Sequence, residues 1–245
     1  MRRVLLYKTG QTAHEVVRDV GDYIGWFNRV LDGSVTLVVH EAQPAPRGMS
    51  FAWDGVIITG SPSSLVEPEP WMEDAAGWVR DAATAGVPVL GVCFGHQLLG
   101  RAFGGAVRRS PRGWEAGTHA VELTDEGQRD PLFTGLGPRL VVNQSHRDEV
   151  ATLGEGVRRL ATGEHSENQA LAAGDHVRGV QFHPEMSGPV IRRIIEHRRA
   201  ILEGDCLEHG RPVEHHPESL LTRIKDTPDA ENVVRNFVKH FAARA

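Results

Sequence analysis

A cysteine occupies the middle of Gly91-Val92-Cys93-Phe94-Gly95-His96-Gln97, directly after the apolar stretch Val87-Pro88-Val89-Leu90. The spacing predicts a strand, a sharp turn and a helix start, with a thiol at the apex. Far downstream, Gln181-Phe182-His183-Pro184-Glu185 supplies an imidazole and a carboxylate two residues apart. A nucleophile, a base and a group that orients the base are the parts needed for acyl transfer. Gly-x-Cys-x-Gly is the sulfur counterpart of the Gly-x-Ser-x-Gly elbow. Its glycines have a physical role, because side chains at Gly91 and Gly95 would collide with neighbouring elements. A helix beginning just after Cys93 aims its N-terminus at the sulfur, which favours the thiolate. The Phe94 N–H then faces the place where an oxyanion develops, and the Gly60 N–H, at the end of an earlier strand, is the expected second donor. One such donor is commonly worth about 10²–10³ in rate. In this scheme His183 takes the thiol proton and returns it to the leaving amine, while Glu185 holds the imidazole.

Taken singly, each element has a plainer reading. A cysteine after a buried strand is most often core packing, and His-x-Glu at a strand end arises by chance. Their combination is more specific, since both lie at strand C-termini of one α/β pattern, where such folds keep their sites. Cys206, His209, His215 and His216 are close enough in sequence to suggest zinc ligands. No Cys-x-x-Cys accompanies them and the stretch reads as exposed loop, so no metal is expected. Neither a P-loop nor a Gly-x-Gly-x-x-Gly fingerprint is present, and no cofactor is expected.

The elements that must position these groups alternate in type. Val4–Tyr7, Val35–Val39, Gly55–Thr59 and Val87–Val92 read as strands. Thr12–Leu31 has helical spacing interrupted by Gly21 and Gly25, Trp71–Ala85 reads as a helix, and Gln97–Phe103 as the helix after the elbow. Pro44–Ser50 is rich in turn formers. Strands without polar alternation predict an open, mostly parallel sheet covered on both faces. The middle of the chain changes character: Ala106–Arg109, Gly117–Leu123, Leu140–Asn143, Val157–Ala161 and Gln169–Ala173 are short and strand-like, a small antiparallel region. Val177–Phe182 is the strand that delivers His183. Helices are expected over Val190–Leu202 and Ala230–Ala242, with 203–229 a polar surface connection. No repeat is found, and a single domain over 1–245 is expected, its core about 4–200 and a C-terminal extension about 203–245.

The 245 residues carry a net charge of −5, with lysine only at 8, 225 and 239. Arginine is spread without a basic stripe, which argues against nucleic acid as a partner. Apolar runs fall far short of the ~18 residues of a membrane span. Met1–Tyr7 is too short an apolar stretch for a signal peptide and reads as a first strand. Two cysteines make no disulfide framework. A cytoplasmic, reducing location suits a free catalytic thiol.

Together these residues resemble the class I (triad-type) glutamine amidotransferases. The Cys93 and His183 segments look like that family's two signatures, and Thr59-Gly60-Ser61-Pro62 like its oxyanion loop. Asn143-Gln144-Ser145-His146-Arg147-Asp148 looks like its glutamine-binding loop. The likeness runs from about Val4 to Glu185. It implies a flavodoxin-like or Rossmann-like domain that hydrolyses the side-chain amide of glutamine, with Cys93 as nucleophile, His183 as base and Glu185 as orienter. It places Gln97 against the substrate amide, and Ser145 with neighbours such as His146 near the α-amino and α-carboxylate groups. Lys8-Thr9-Gly10, Gly21-Asp22-Tyr23 and Pro111-Arg112-Gly113-Trp114-Glu115 look like a stand-alone, guanylate-synthase-like subgroup. Arg112–Glu115 reads equally as a surface turn with a buried Trp. Plant γ-glutamyl peptidases are similar proteins with the same triad. The ATP pyrophosphatase domain of true guanylate synthases is missing, so any ammonia acceptor is a separate synthase subunit. Three readings follow: a glutaminase, a γ-glutamyl peptide hydrolase, and a non-catalytic glutamine sensor, against which the intact triad argues. The final helix reads as finishing the fold, which leans the expectation towards a stand-alone enzyme.

Overall fold

The computed structural model describes residues 1–43 and 50–242; all but the last residue of the turn-rich Pro44–Ser50 lie outside them. The chain runs β1 (Arg3–Lys8), α1 (His14–Val20), α2 (Tyr23–Leu31), β2 (Thr36–Glu41), β3 (Gly55–Ile58), α3 (Pro70–Thr84), β4 (Val89–Val92), α4 (Phe94–Ala102), β5 (Ala106–Arg109), β6 (Glu115–Leu123), α5 (Asp125–Arg129), β7 (Arg139–His146), β8 (Asp148–Thr152), β9 (Val157–Thr162), β10 (Ala170–Ala173), β11 (Val177–Val180), α6 (Gly188–His197), α7 (Arg199–Glu208), α8 (Pro217–Arg223) and α9 (Pro228–His240). Nine strands form one sheet in the order β2-β1-β3-β4-β11-β10-β9-β6-β7. The first five run parallel, and the rest pair antiparallel. The antiparallel region is therefore mostly an extension of the main sheet, and only β5 and β8 pair apart from it.

Alternation along each strand sends side chains to two cores. Val4 and Leu6 of β1 pack with α2, α6 and α9 through Phe27, Ile191 and Phe237. Leu5 and Tyr7 face the other way, against Trp78 and Val79 of α3 and Leu98 and Leu99 of α4. The central strands β3, β4 and β11 are buried throughout, which is why they show no polar alternation. Each large apolar side chain enclosed this way contributes about 1.5–3 kcal/mol relative to exposure.

Several boundaries differ from the sequence expectation. The Thr12–Leu31 helix divides at Gly21, whose φ of 79° ends α1; Asp22 then caps α2 by accepting the Gly25 N–H at 3.1 Å. The elbow helix starts at Phe94, one turn earlier than expected. Strand β8 was not expected: its charged Glu149 is buried because Arg108 and Ser166 bond its carboxylate at 2.9 and 2.8 Å. The largest correction concerns Val190–Leu202 and the polar segment after it. The expected single helix is two, meeting at Arg198, and the second continues to Glu208. Residues 203–229 are thus no mere connection; they also hold α8. Asp205 of α7 is buried and accepts the Trp114 N–H at 2.9 Å, which anchors α7 to the segment before β6.

Candidate functional site

Strand register brings the distant motifs to one level. Gly91 pairs with Ile58 of β3, and Val92 with Val180 of β11. Gly60 and Gln181 therefore emerge on either side of Cys93, at the C-terminal ends of three adjacent parallel strands. The Cys93 N–H donates to Val180 O at 2.9 Å, and the His183 N–H donates to Asn143 O at 2.8 Å, so both backbones are tied down.

Cys93 has φ 52° and ψ −103°, a sparsely populated conformation for a non-glycine residue. The surrounding glycines permit it. A Cβ at Gly91 would lie 2.4 Å from Gly95 O, and one at Gly95 would lie 2.5 Å from Ile58 O. Turn, strand and helix are packed too closely for any larger residue. Among the described residues, no hydrogen bond takes up the N–H of Phe94 or of Gly60. Thr9 fixes the strand end before Gly60, its hydroxyl donating to Thr59 O at 2.9 Å while its N–H donates to Thr59 Oγ1 at 3.1 Å.

His183 Nδ1 lies 2.8 Å from Glu185 Oε1, both residues buried. Its other nitrogen is left for the thiol, with which His183 interacts by charge and by hydrogen bonding. Burial opposes protonation of His183, but the Glu185 carboxylate and the Cys93 sulfur outweigh it and raise the pKa to about 10. Burial likewise opposes ionisation of Cys93, yet His183, aided by His146, brings its pKa below the ordinary thiol value. The direction of both shifts favours a thiolate–imidazolium pair. Such a pair can attack a carbonyl carbon and pass a proton to the departing group.

The cavity at Cys93 measures about 300 Å³ and is lined by Gln97, Ser145, His146, Asp148 and Arg198, among others. All the expected substrate-contacting residues thus reach it, with two refinements. Gln97 is braced by its amide, Nε2 donating to Asp148 O at 2.7 Å and to Gln181 Oε1 at 3.1 Å. His146 has both ring nitrogens engaged, Nδ1 on Asp148 O and Nε2 on Glu115 Oε2, each at 2.9 Å. Its influence on a bound molecule is therefore through charge. Asn143–His146 is the end of β7 and no loop. His96 of the elbow packs against Gly179 of β11. Cys206, His209, His215 and His216 do not converge: among the described residues the one cluster of ligand-type atoms is Asp205, Glu208 and His209.

Four contributors escaped sequence reasoning. Glu115 and Tyr23 were visible only as members of motifs. Glu115 is wholly buried on His146, and Tyr23 lies beside Gly60 with its hydroxyl kept protonated, mainly by burial. Asp148 presents a carboxylate that accepts Ser64 Oγ at 2.5 Å and has no cationic partner among the described residues. Arg198 had no sequence signal, since it falls inside what reads as continuous helix.

The glutamine amidotransferase class-I family model matches residues 28–197. This chain belongs to that family. A glutamine-hydrolyzing GMP synthase component of Sulfolobus acidocaldarius, itself a separate chain of that synthase, is 33% identical over 187 residues, 76% of this chain and 90% of the relative. Gamma-glutamyl peptidase 5 of Arabidopsis thaliana is 26% identical over 191 residues, 76% of this chain and 74% of the relative. Among solved structures, a glutamine amidotransferase from Methylobacillus flagellatus superposes with TM-score 0.76 at 23% identity, covering 100% of this chain and 96% of that one. One from Thermotoga maritima gives 0.72 at 22% identity, with 99% of both chains covered. The class-I amidotransferase fold thus extends over the whole described chain. No described helix is long and apolar enough to cross a membrane.

Proposed function

We propose that this class-I amidotransferase hydrolyses the γ-amide of glutamine to glutamate and ammonia through a thioester on Cys93. The supporting observation is His183 held between the Cys93 thiol and Glu185, beneath the unbonded N–H groups of Gly60 and Phe94. The Cys93 thiolate attacks the γ-carbonyl carbon, and the oxyanion is received by the two N–H groups. The C–N bond breaks as His183 gives its proton to the departing amine. Water, deprotonated by His183, then attacks the thioester and releases glutamate and the thiol. Glu185 keeps the imidazole oriented and charged throughout.

A second reading is a γ-glutamyl peptide hydrolase, favoured by the likeness to the Arabidopsis γ-glutamyl peptidase. The chemistry is unchanged, and only the leaving amine differs. Likeness to a chain named as part of GMP synthase supports the first reading with a separate synthase chain as partner. A panel of glutamine, glutathione and γ-glutamyl dipeptides separates them. Slow glutamine hydrolysis that accelerates with an ATP-dependent partner supports the synthase-component reading. Full-rate cleavage of a γ-glutamyl peptide by the protein alone supports the peptidase. Binding of glutamine without turnover of any compound would leave a sensor and overturn the enzyme reading. Cys93→Ala and Cys93→Ser should abolish turnover, and Glu185→Gln should cost less than His183→Ala, because the base remains.

A further inference from the structure

Three arginines reach the cavity that holds Cys93: Arg109, Arg147 and Arg198. Two are already neutralised. Arg109 pairs with Glu67 at 2.6 Å, and Arg147 faces Glu208 at 3.5 Å and Asp205 at 3.9 Å. Arg198 has no carboxylate within ion-pair distance among the described residues. Its Nη1 donates to Ser145 Oγ at 2.6 Å, and its guanidinium carbon sits 5.0 Å from the centroid of the Trp114 ring. The fork is therefore fixed in place by a hydroxyl on one side and an aromatic face on the other. Burial around the guanidinium pulls its pKa below the ordinary arginine value. A cation withheld from water without a counter-ion is costly, and that cost is relieved when an anion arrives. The planar fork matches a carboxylate.

We propose that Arg198 is the specificity-determining residue that receives the α-carboxylate of the substrate, so that the site requires a γ-glutamyl compound whose α-carboxylate is free. The inference rests on the reading of the site as a γ-glutamyl amide hydrolase. It adds a residue outside the segment matched by the family model, carried by the helix break that sequence periodicity hides. The carboxylate of Asp148, also unpaired, lies in the same cavity and suits the α-ammonium group. A zwitterion thus meets one fixed charge of each sign. The cavity is at the small end of ligand sites, a size suited to an amino-acid head.

The experiment compares L-glutamine with L-glutamine methyl ester, and γ-glutamyl-p-nitroanilide with its α-methyl ester, on wild type, Arg198→Gln and Arg198→Lys. Wild type should prefer the free acids. Arg198→Gln should lose on the order of 100-fold in kcat/KM on the acids, mainly through KM, with the esters little changed. Its acid-to-ester preference should collapse towards one, and Arg198→Lys should recover part of it. Arg198→Gln that retains the preference, or that loses acid and ester activity equally, overturns the assignment. Calorimetric titration of Cys93→Ala with L-glutamine and with γ-glutamyl dipeptides, with and without Arg198→Gln, reads binding apart from chemistry and shows whether the variant is folded. If wild type turns over none of these compounds and Cys93→Ala binds none, the underlying hydrolase reading falls and this one with it. If wild type is active and the preference survives the substitution, this assignment alone falls.

Discussion

Glu115 and His146 stand directly opposite each other across β6 and β7, with 2.9 Å between the carboxylate oxygen and Nε2. The pair is buried, and Gln169 Nε2 bonds the same carboxylate oxygen at 2.9 Å. Burial works against a charged His146, but Glu115 outweighs it and raises the imidazole pKa. With Nδ1 donating to Asp148 O, both ring N–H groups have acceptors, as an imidazolium requires. That positive charge is one of the influences that lower the Cys93 pKa. A motif that reads equally as a surface turn thus ends in a carboxylate whose effect reaches the thiol.

Glu115→Gln should therefore fold, because the amide oxygen can still accept from His146. It should also move Cys93 ionisation to higher pH. Thiol alkylation by iodoacetamide at pH 7 should slow about 3- to 10-fold. Glu115→Ala should additionally lose about 3 kcal/mol or more of stability, since a buried partner is removed outright. An unchanged alkylation profile in Glu115→Gln would show that His146 does not act on the thiol.

The pH dependence of turnover follows from the two opposed shifts. Cys93 titrates below the ordinary thiol value and His183 at about 10, so the thiolate–imidazolium pair occupies the interval between them. Activity should rise as pH climbs through the lowered Cys93 pKa and fall as pH passes about 10, where the imidazolium is lost. Glu185→Gln removes the carboxylate that does most to raise His183, so the alkaline limb should move to lower pH. Cys206 is an internal control: its pKa is raised, chiefly by burial, and alkylation should leave it unlabelled at neutral pH. A pH–rate profile whose alkaline limb is the same in wild type and Glu185→Gln would contradict the role of Glu185.

The elbow was legible because its determinants are local. Val87–Leu90 specifies a buried strand, and two glycines flanking Cys93 specify a turn that nothing larger fits. The His183-Pro184-Glu185 segment was legible for the same reason, with donor and acceptor two residues apart. Arg198 was not, because Val190, Ile191, Ile194, Ile195 and Leu202 keep a helical spacing across the break. The turn there accompanies tertiary contacts, Arg198 on Trp114 and Asp205 on the Trp114 N–H, and local sequence does not encode those. The joining of the antiparallel strands to the main sheet was hidden likewise, since β10 pairing with β11 is a matter of register between segments.

Two glycines near the thiol should respond to alanine in different ways. At Gly60 a Cβ would lie 3.0 Å from His183 Cε1 and 3.3 Å from Tyr23 Oη, contacts that a small ring shift relieves. Gly60→Ala should keep its melting temperature nearly unchanged while kcat falls, by on the order of 10²-fold if the ring moves by about 1 Å. At Gly95 the new Cβ meets the Ile58 backbone at 2.5 Å, and only separation of α4 from β3 makes room. Gly95→Ala should lose about 1–3 kcal/mol or more, read as a drop in melting temperature. Equal loss of kcat at unchanged stability in both variants would mean that the two glycines are not distinguished by what they touch.

Asp205 supplies a test of the corrected α7. Its carboxylate accepts the Trp114 N–H at 2.9 Å and lies 3.7 Å from Arg211 and 3.9 Å from Arg147. Removing it leaves a buried N–H unmatched and frees two guanidinium groups beside the cavity wall. A hydrogen bond to a buried charged group contributes about 1.5–3 kcal/mol. Asp205→Ala should destabilise by at least that amount and, by loosening Trp114 beneath Arg198, raise KM more than it lowers kcat. Asp205→Asn keeps an acceptor for Trp114 and should recover most of the KM while remaining less stable than wild type. If residues 203–208 were only a surface connection, neither substitution would change stability or KM, and a melting curve with steady-state kinetics on the two variants decides the matter.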